Sequence, residues 1–365
     1  MTDSALMTLH GSQVSYFTGK LEGALRYKEL PYRLQAMNAH AQKYDIPKAT
    51  GVFQMPALQL GDGRWLTDST PIIAWLDREF PAYPLVPTDP LLRFFSLLVE
   101  DYTDEWLWRP AMHYRWFYAE GAALLSRQLA NELADDVFGP AFVKQLYIRH
   151  RQRRFFTTGD GVDAQNIAHV EGIYLRTLAT LEKIFSQRPY LLGDRPSLAD
   201  IGLFGPLFRH FSMDPVPAKI MRATAPATYL WVARLWAERG SKNTGELLTK
   251  LPDDWGPLLD DIGNAYLPYL VANANAVATG AKFFDCTIQG ARYRKARTSR
   301  YRVWCLEQLQ AAYRALDSSN LQTADAILQR HACLSYLQAT PATMSGHDVE
   351  RLAPFCRGLG MLELD

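Results

Sequence analysis

Gln54-Met55-Pro56-Ala57-Leu58-Gln59-Leu60-Gly61-Asp62-Gly63-Arg64-Trp65-Leu66-Thr67-Asp68-Ser69 is the stretch on which the fold turns. Two apolar runs, Ala57 to Leu60 and Arg64 to Leu66, flank a Gly-Asp-Gly cluster. That cluster suits the positive φ angles of a hairpin turn, so two antiparallel strands are expected. Asp68-Ser69 then heads a helix with Ile72, Ile73, Leu76 and Phe80 on one face. Pro71 fits its first turn, where no amide hydrogen is needed. Upstream, Gln13 to Phe17 reads as a strand, Leu21, Ala24 and Leu25 as one face of a helix, and Tyr32 to Ala36 as a second strand. A polar, variable stretch, Asn38 to Ala49, separates this β-α-β unit from the β-β-α unit that follows it.

Working outward, Pro81, Pro84, Pro87 and Pro90 mark a linker, after which helical periodicity runs to about Trp236 without strand-like alternation. Breaks fall at Gly139-Pro140 and at Thr157 to Gly161. Beyond Gly240 helices are expected from Trp255 to Thr279 and from Ser299 to Leu316, with a short hairpin over Lys282 to Tyr293. The expected division is 10–82, 90–238 and 241–365, within a chain of 365 residues. That length suits two or three domains.

Hydrophobic residues make up 48% and charged residues 21%, an ordinary globular balance in which disorder is not the main theme. A net charge of +1 supplies no global field toward nucleic acid or anionic membrane. The four cysteines, Cys286, Cys305, Cys333 and Cys356, lack the spacing of a zinc or dithiol centre and read as free thiols. His331-Ala332-Cys333 lacks further ligands, so no metal is expected. Neither a leader-type N-terminus nor a long apolar run occurs, and a cytoplasmic protein without a membrane role is expected.

The first region resembles glutathione transferases of the cytosolic type. Gln54-Met55-Pro56-Ala57-Leu58 precedes the hairpin as the cis-proline segment does in thioredoxin-like domains, and proline is the residue for which cis costs little. Asp68-Ser69 is similar to the family's acidic residue plus serine at a helix start, where unpaired amides favour a carboxylate. Tyr190-Leu191-Leu192-Gly193-Asp194-Arg195-Pro196-Ser197-Leu198-Ala199-Asp200-Ile201 is similar to the family's loop and capping box, with Ser197 as N-cap and Asp200 three residues on. The helix after it, Ile201 to Phe211, is apolar nearly all round and should be buried, with Pro206 bending it.

The resemblance implies an α/β thioredoxin-like domain with a four-stranded mixed sheet, an all-α domain, and then a mostly helical α+β C-terminal region of unassigned role. It implies reduced glutathione as co-substrate, held by Gln54, Met55, Pro56, Asp68 and Ser69, a small electrophile as second substrate, and a homodimer. The hydroxyl that stabilises the glutathione thiolate is sought among Tyr16, Thr18 and Ser15, near the end of the expected first strand. Core packing for Tyr16 and helix capping for Thr18 are the alternatives. Trp106 and Tyr114 are expected to line the electrophile pocket, with core packing again the alternative.

The activity implied is addition or exchange of glutathione thiolate at an electrophile. The rival is a non-catalytic binding or scaffolding protein acting through the C-terminal region, and a glutathione-dependent isomerase or peroxidase is a third reading. Arg292-Tyr293-Arg294-Lys295-Ala296-Arg297 with Arg300-Tyr301-Arg302 has the look of a phosphate-binding surface. No nucleic-acid-binding signature accompanies it, and a strand edge and helix start paired with acidic residues is the simpler account.

Overall fold

In a computed structural model that describes residues 6–347, the first region is a four-stranded sheet of order β2-β1-β3-β4. Its strands are β1 (Met7–Gly11), β2 (Tyr32–Ala36), β3 (Ala57–Gln59) and β4 (Trp65–Thr67), and β1 is parallel to β2 but antiparallel to β3. The helices are α1 (Tyr16–Tyr27), α2 (Ile46–Thr50) and α3 (Ser69–Glu79), with a π-helical turn over Ala41–Asp45 before α2.

The sheet is the expected mixed one, but its first strand lies earlier than Gln13 to Phe17. All five residues of β1 are buried, the polar Thr8 and His10 included, so the strand shows no alternation of the kind that marks a half-buried strand. Residues 12–15 instead form the turn, and the Ser15 side chain accepts from the Thr18 amide at 3.3 Å to cap α1. The alternating Val14 and Tyr16 thus belong to a turn and a helix start. The polar stretch from 38 to 49 is helical from Ala39 onward.

The second region is all helical: α4 (Pro90–Glu105), α5 (Trp108–Phe117), α6 (Ala119–Leu133), α7 (Ala141–Phe156), α8 (Ile167–Phe185), α9 (Leu198–Pro206), α10 (Pro215–Thr224) and α11 (Pro226–Ala237). The capping box of α9 forms, the Asp200 carboxylate accepting from both the Ser197 amide at 3.0 Å and its hydroxyl at 2.7 Å. Its other oxygen accepts the Leu191 amide at 2.9 Å, which fixes the preceding loop to the helix. Beyond Pro206 the helix widens into a π turn, Leu207–Phe211, where the missing proline amide hydrogen interrupts the ladder.

The chain after residue 240 returns across this loop. The Asp194 amide donates to the Glu246 carbonyl at 2.9 Å and the Leu248 amide to the Leu192 carbonyl at 2.7 Å. Gly193, with φ +126°, permits the approach, because a Cβ there would lie 2.7 Å from the Glu246 carbonyl oxygen. There follow α12 (Gly256–Asp261), a π turn, α13 (Leu267–Ala278), the hairpin β5 (Phe283–Ile288) and β6 (Ala291–Arg297), then α14 (Arg300–Arg314), α15 (Ser318–Arg330) and α16 (Leu334–Gln338). Helix α14 packs on α13 and α4. One apolar cluster extends from Met7 in β1 to Leu337 in α16, so this last region shares the core of the rest and is not a tethered appendage.

Charge is buried between these layers. Lys20 of α1 pairs with both Glu100 and Asp104 of α4 and donates to the Thr70 hydroxyl at 3.1 Å. Arg302 of α14 pairs with Glu105 at 2.9 Å and with Asp160 at 3.0 Å, and donates to the Tyr269 hydroxyl at 3.2 Å. Of the basic run, Arg292 pairs with Asp285 at 3.0 Å and Arg294 with Asp163 at 2.8 Å. Cys286 is half-buried, Cys305 and Cys333 are buried, all three are free, and Cys356 lies outside the described residues.

Candidate functional site

A cleft opens where the edge of the sheet region meets α5, α6 and α7. Its polar end is built from the two segments that decided the fold. The Met55–Pro56 bond is cis, and Gln54, Met55 and Pro56 line one wall. Neither the amide nor the carbonyl of Met55 bonds to another described residue, so this peptide edge is open to a ligand's backbone. The Gln54 Oε1 atom is buried without a partner.

Opposite stand Asp68 and Ser69 at the head of α3. Asp68 adopts φ +71°, a conformation rare for a residue with a side chain and one that clusters at ligand sites. Its carboxylate accepts from the Thr70 amide at 3.3 Å. Burial pushes the carboxyl up to about 6, Glu100 adds to the push, and the Tyr301 hydrogen bond, Lys20 and the Thr70 amide oppose it.

The three hydroxyls read as thiol activators are placed differently from one another. Tyr16 lines the cleft, but its hydroxyl donates to the Thr103 carbonyl, and burial raises its pKa well above 10. Thr18 is fully buried in α1, with its oxygen facing the Ser12 amide, and takes no part in the wall. Ser15 lines the cleft, and its oxygen accepts from the Thr18 amide, an arrangement that leaves the hydroxyl proton uncommitted among the described residues.

The apolar end corrects the expectation for Trp106 and Tyr114. Neither lines the cleft. Trp106 is buried against Tyr269 and Tyr293 of the last region at 5.5 and 5.9 Å between ring centroids, and Tyr114 packs on Tyr118 and Tyr174. Trp108, Met112 and Trp116 of α5 form the wall instead, with Phe17, Leu129, Leu133 and Phe156. The cause is the break between Glu105 and Trp108, where α4 stops and α5 starts, so one helical phase does not run through both. Arg115, also on the cleft, is paired with Asp214 at 2.8 Å and donates to the Val14 carbonyl at 2.7 Å, which ties α5 to the turn that carries Ser15.

Among the described residues no group of three or more His, Cys, Asp or Glu is placed to hold a metal ion, and no helix is long and apolar enough to cross a membrane. Residues 9–84 match the glutathione S-transferase N-terminal domain and residues 164–234 the glutathione S-transferase C-terminal domain. The chain carries both domains of the glutathione S-transferase-like family. Solved structures similar to it include the β-etherase LigF from Sphingobium sp. strain SYK-6, at 21% identity over 65% of this chain and 97% of that one, TM-score 0.46. A glutathione S-transferase from Methylobacterium radiotolerans JCM 2831 in complex with glutathione sulfonate matches at 20% identity over 68% and 98%, TM-score 0.40. One from Rhodospirillum rubrum F11 matches at 16% over 67% and 95%, TM-score 0.43. No curated protein matches the chain.

What this glutathione S-transferase-like chain adds lies beyond residue 234, where neither domain match extends. Tyr301, the second residue of α14, reaches the cleft and donates its hydroxyl to Asp68 at 2.9 Å. Its neighbour Arg302 holds Glu105, another cleft residue. Sequence reasoning singled out the run containing both, weighed a phosphate-binding surface against a strand edge and helix start paired with acidic residues, and preferred the latter; Arg292, Arg294 and Arg302 are so paired. No local signal tied Tyr301 to a residue 233 positions away.

Proposed function

We propose that the protein binds reduced glutathione at the polar end of the cleft and directs its thiolate at an electrophile seated at the apolar end. The observation that carries this reading is the convergence of the open Met55 peptide edge, the unpartnered Gln54 oxygen and the Asp68-Ser69 helix start on one cavity. The γ-glutamyl carboxylate fits the head of α3 and the Ser69 hydroxyl, its ammonium fits Asp68, and the cysteinyl backbone fits Met55. Ser15 donates to the sulfur, favouring thiolate over thiol, and the thiol proton passes to water. As the sulfur–carbon bond forms, the leaving group departs with its bonding electrons, or an acceptor π bond takes them. The apolar wall supplies proximity.

Three results are expected. Titration calorimetry should show binding of reduced glutathione that Asp68→Ala with Ser69→Ala abolishes; no binding to the wild type at millimolar ligand would overturn the reading. Only ionised Asp68 can face an ammonium, and its folded pKa is raised to about 6, so affinity should fall as pH drops through 6. The loss approaches about tenfold per pH unit below that point. In Asp68→Asn this dependence should flatten. Ser15→Ala should raise the pKa of bound glutathione thiol, read from thiolate absorbance, by about 1–2 units while leaving its binding within a few-fold.

A further inference from the structure

We infer that the electrophile is an aromatic acid, and that Arg151 of α7 receives its carboxylate while Trp108 and Trp116 hold its ring. This rests on the glutathione-dependent reading of the cleft and names the class of its second substrate. Four residues that carry a full charge face the cavity: Asp68, Glu105, Arg115 and Arg151. The first three are committed, to Tyr301, to Arg302 and to Asp214. Arg151 alone makes no hydrogen bond or ion pair with any described residue.

Its surroundings are aromatic, with the guanidinium carbon 5.8 Å from the ring centre of Phe155 and 6.0 Å from that of Phe156. Burial lowers its pKa, and no carboxylate acts to raise it. A guanidinium stays charged nonetheless, and a desolvated cation without a counter-ion is costly. Such a group is complemented by a planar anion, which its forked donors bind in bidentate fashion.

The same end of the cleft carries two further orphans, the buried indole nitrogens of Trp108 and Trp116, which have no acceptor. Both are donors, as Arg151 is, so this wall asks for oxygen acceptors on a flat ligand. His210, also in the wall, lies beside Asp214 at 3.8 Å, and its pKa is lowered well below 6.5 by burial and then by Arg115, so it adds no positive charge. Arg151 stands where the cleft meets an adjoining groove lined by Gln42, Phe53, Leu133 and Gln152. A carboxylate there could also be the glycyl end of glutathione, and the experiment separates the two sources.

The probes are 4-chloro-3-nitrobenzoate and its neutral amide, titrated calorimetrically without glutathione. Wild type should bind the acid about tenfold or more tightly than the amide. Arg151→Gln should erase that preference, leave amide binding within twofold, and leave glutathione binding within twofold; circular dichroism confirms the fold. Equal binding of acid and amide by wild type, or no binding of either, overturns the assignment. So does an Arg151→Gln variant that keeps the acid preference, or one that loses glutathione affinity tenfold, which would give Arg151 to the glycyl carboxylate. Failure of wild type to bind glutathione, with the acid preference intact, would overturn the proposed reaction and leave Arg151 as an aromatic-acid site.

Discussion

Lys20→Met should lower stability to urea by about 3–5 kcal/mol, because it leaves two buried carboxylates without a cation. Glu100 and Asp104 are both shielded from water, and Lys20 is the cation paired with each among the described residues. Burial already pushes the Asp104 carboxyl well above its usual range, with Glu100 and Glu105 adding to the push against the pull of Lys20. Without the ammonium, the folded state would hold a proton on Asp104 more tightly than the unfolded chain does. The deficit should therefore narrow as pH falls from the raised folded value of Asp104 toward the unfolded value of about 4. The check is a set of urea midpoints for wild type and variant across that range. A variant that matches wild type at neutral pH would show that the α1–α4 interface does not depend on this group.

Arg302→Met is the second large effect. It leaves Glu105 and Asp160 buried and unpaired, again at a cost of about 3–5 kcal/mol, since removing one partner of a buried pair exposes the full penalty of the other. Here the damage should be directional. Arg302 anchors the start of α14 to α4, and the adjacent Tyr301 holds Asp68, so loosening this point should open the cleft wall. Limited proteolysis should cut the region beyond 240 faster than in wild type, and glutathione affinity should fall together with stability. Loss of stability without either change would mean that the last region stays seated through its apolar core alone.

Local chemistry explains which parts were legible in the sequence. Strand β2, the hairpin and the head of α3 each announce themselves within about ten residues, through alternation, a Gly-Asp-Gly turn and an Asp-Ser cap. Strand β1 did not, because burial on both faces removes the alternation by which a strand is recognised. The same division runs through the site. Gln54 to Pro56 and Asp68-Ser69 are short-range motifs, and the structure places both on one cavity.

Arg151 and Tyr301 came from elsewhere. They reach the cleft through packing of α7 and α14, and nothing near them in the sequence distinguishes them from surface cations or core aromatics. Trp108 and Trp116, against the expected Trp106 and Tyr114, show how two residues without continuous helix reassign which ring faces a ligand.

The hydrogen bond from Tyr301 to Asp68 also sets an order in time. The two residues are 233 positions apart, so the sheet, its hairpin and the helices behind it leave the ribosome well before Tyr301 does. At about 5–20 residues per second, that interval is roughly 10–50 s, long enough for N-terminal regions to fold as units. During it Asp68 and the head of α3 are already synthesised, while the Tyr301 hydroxyl that bonds the carboxylate is not. Arrival of α14 then changes the acidity of a group translated long before it. Completion of this pocket is accordingly a late event of synthesis, because the wall residue Tyr301 is translated after the others that line it.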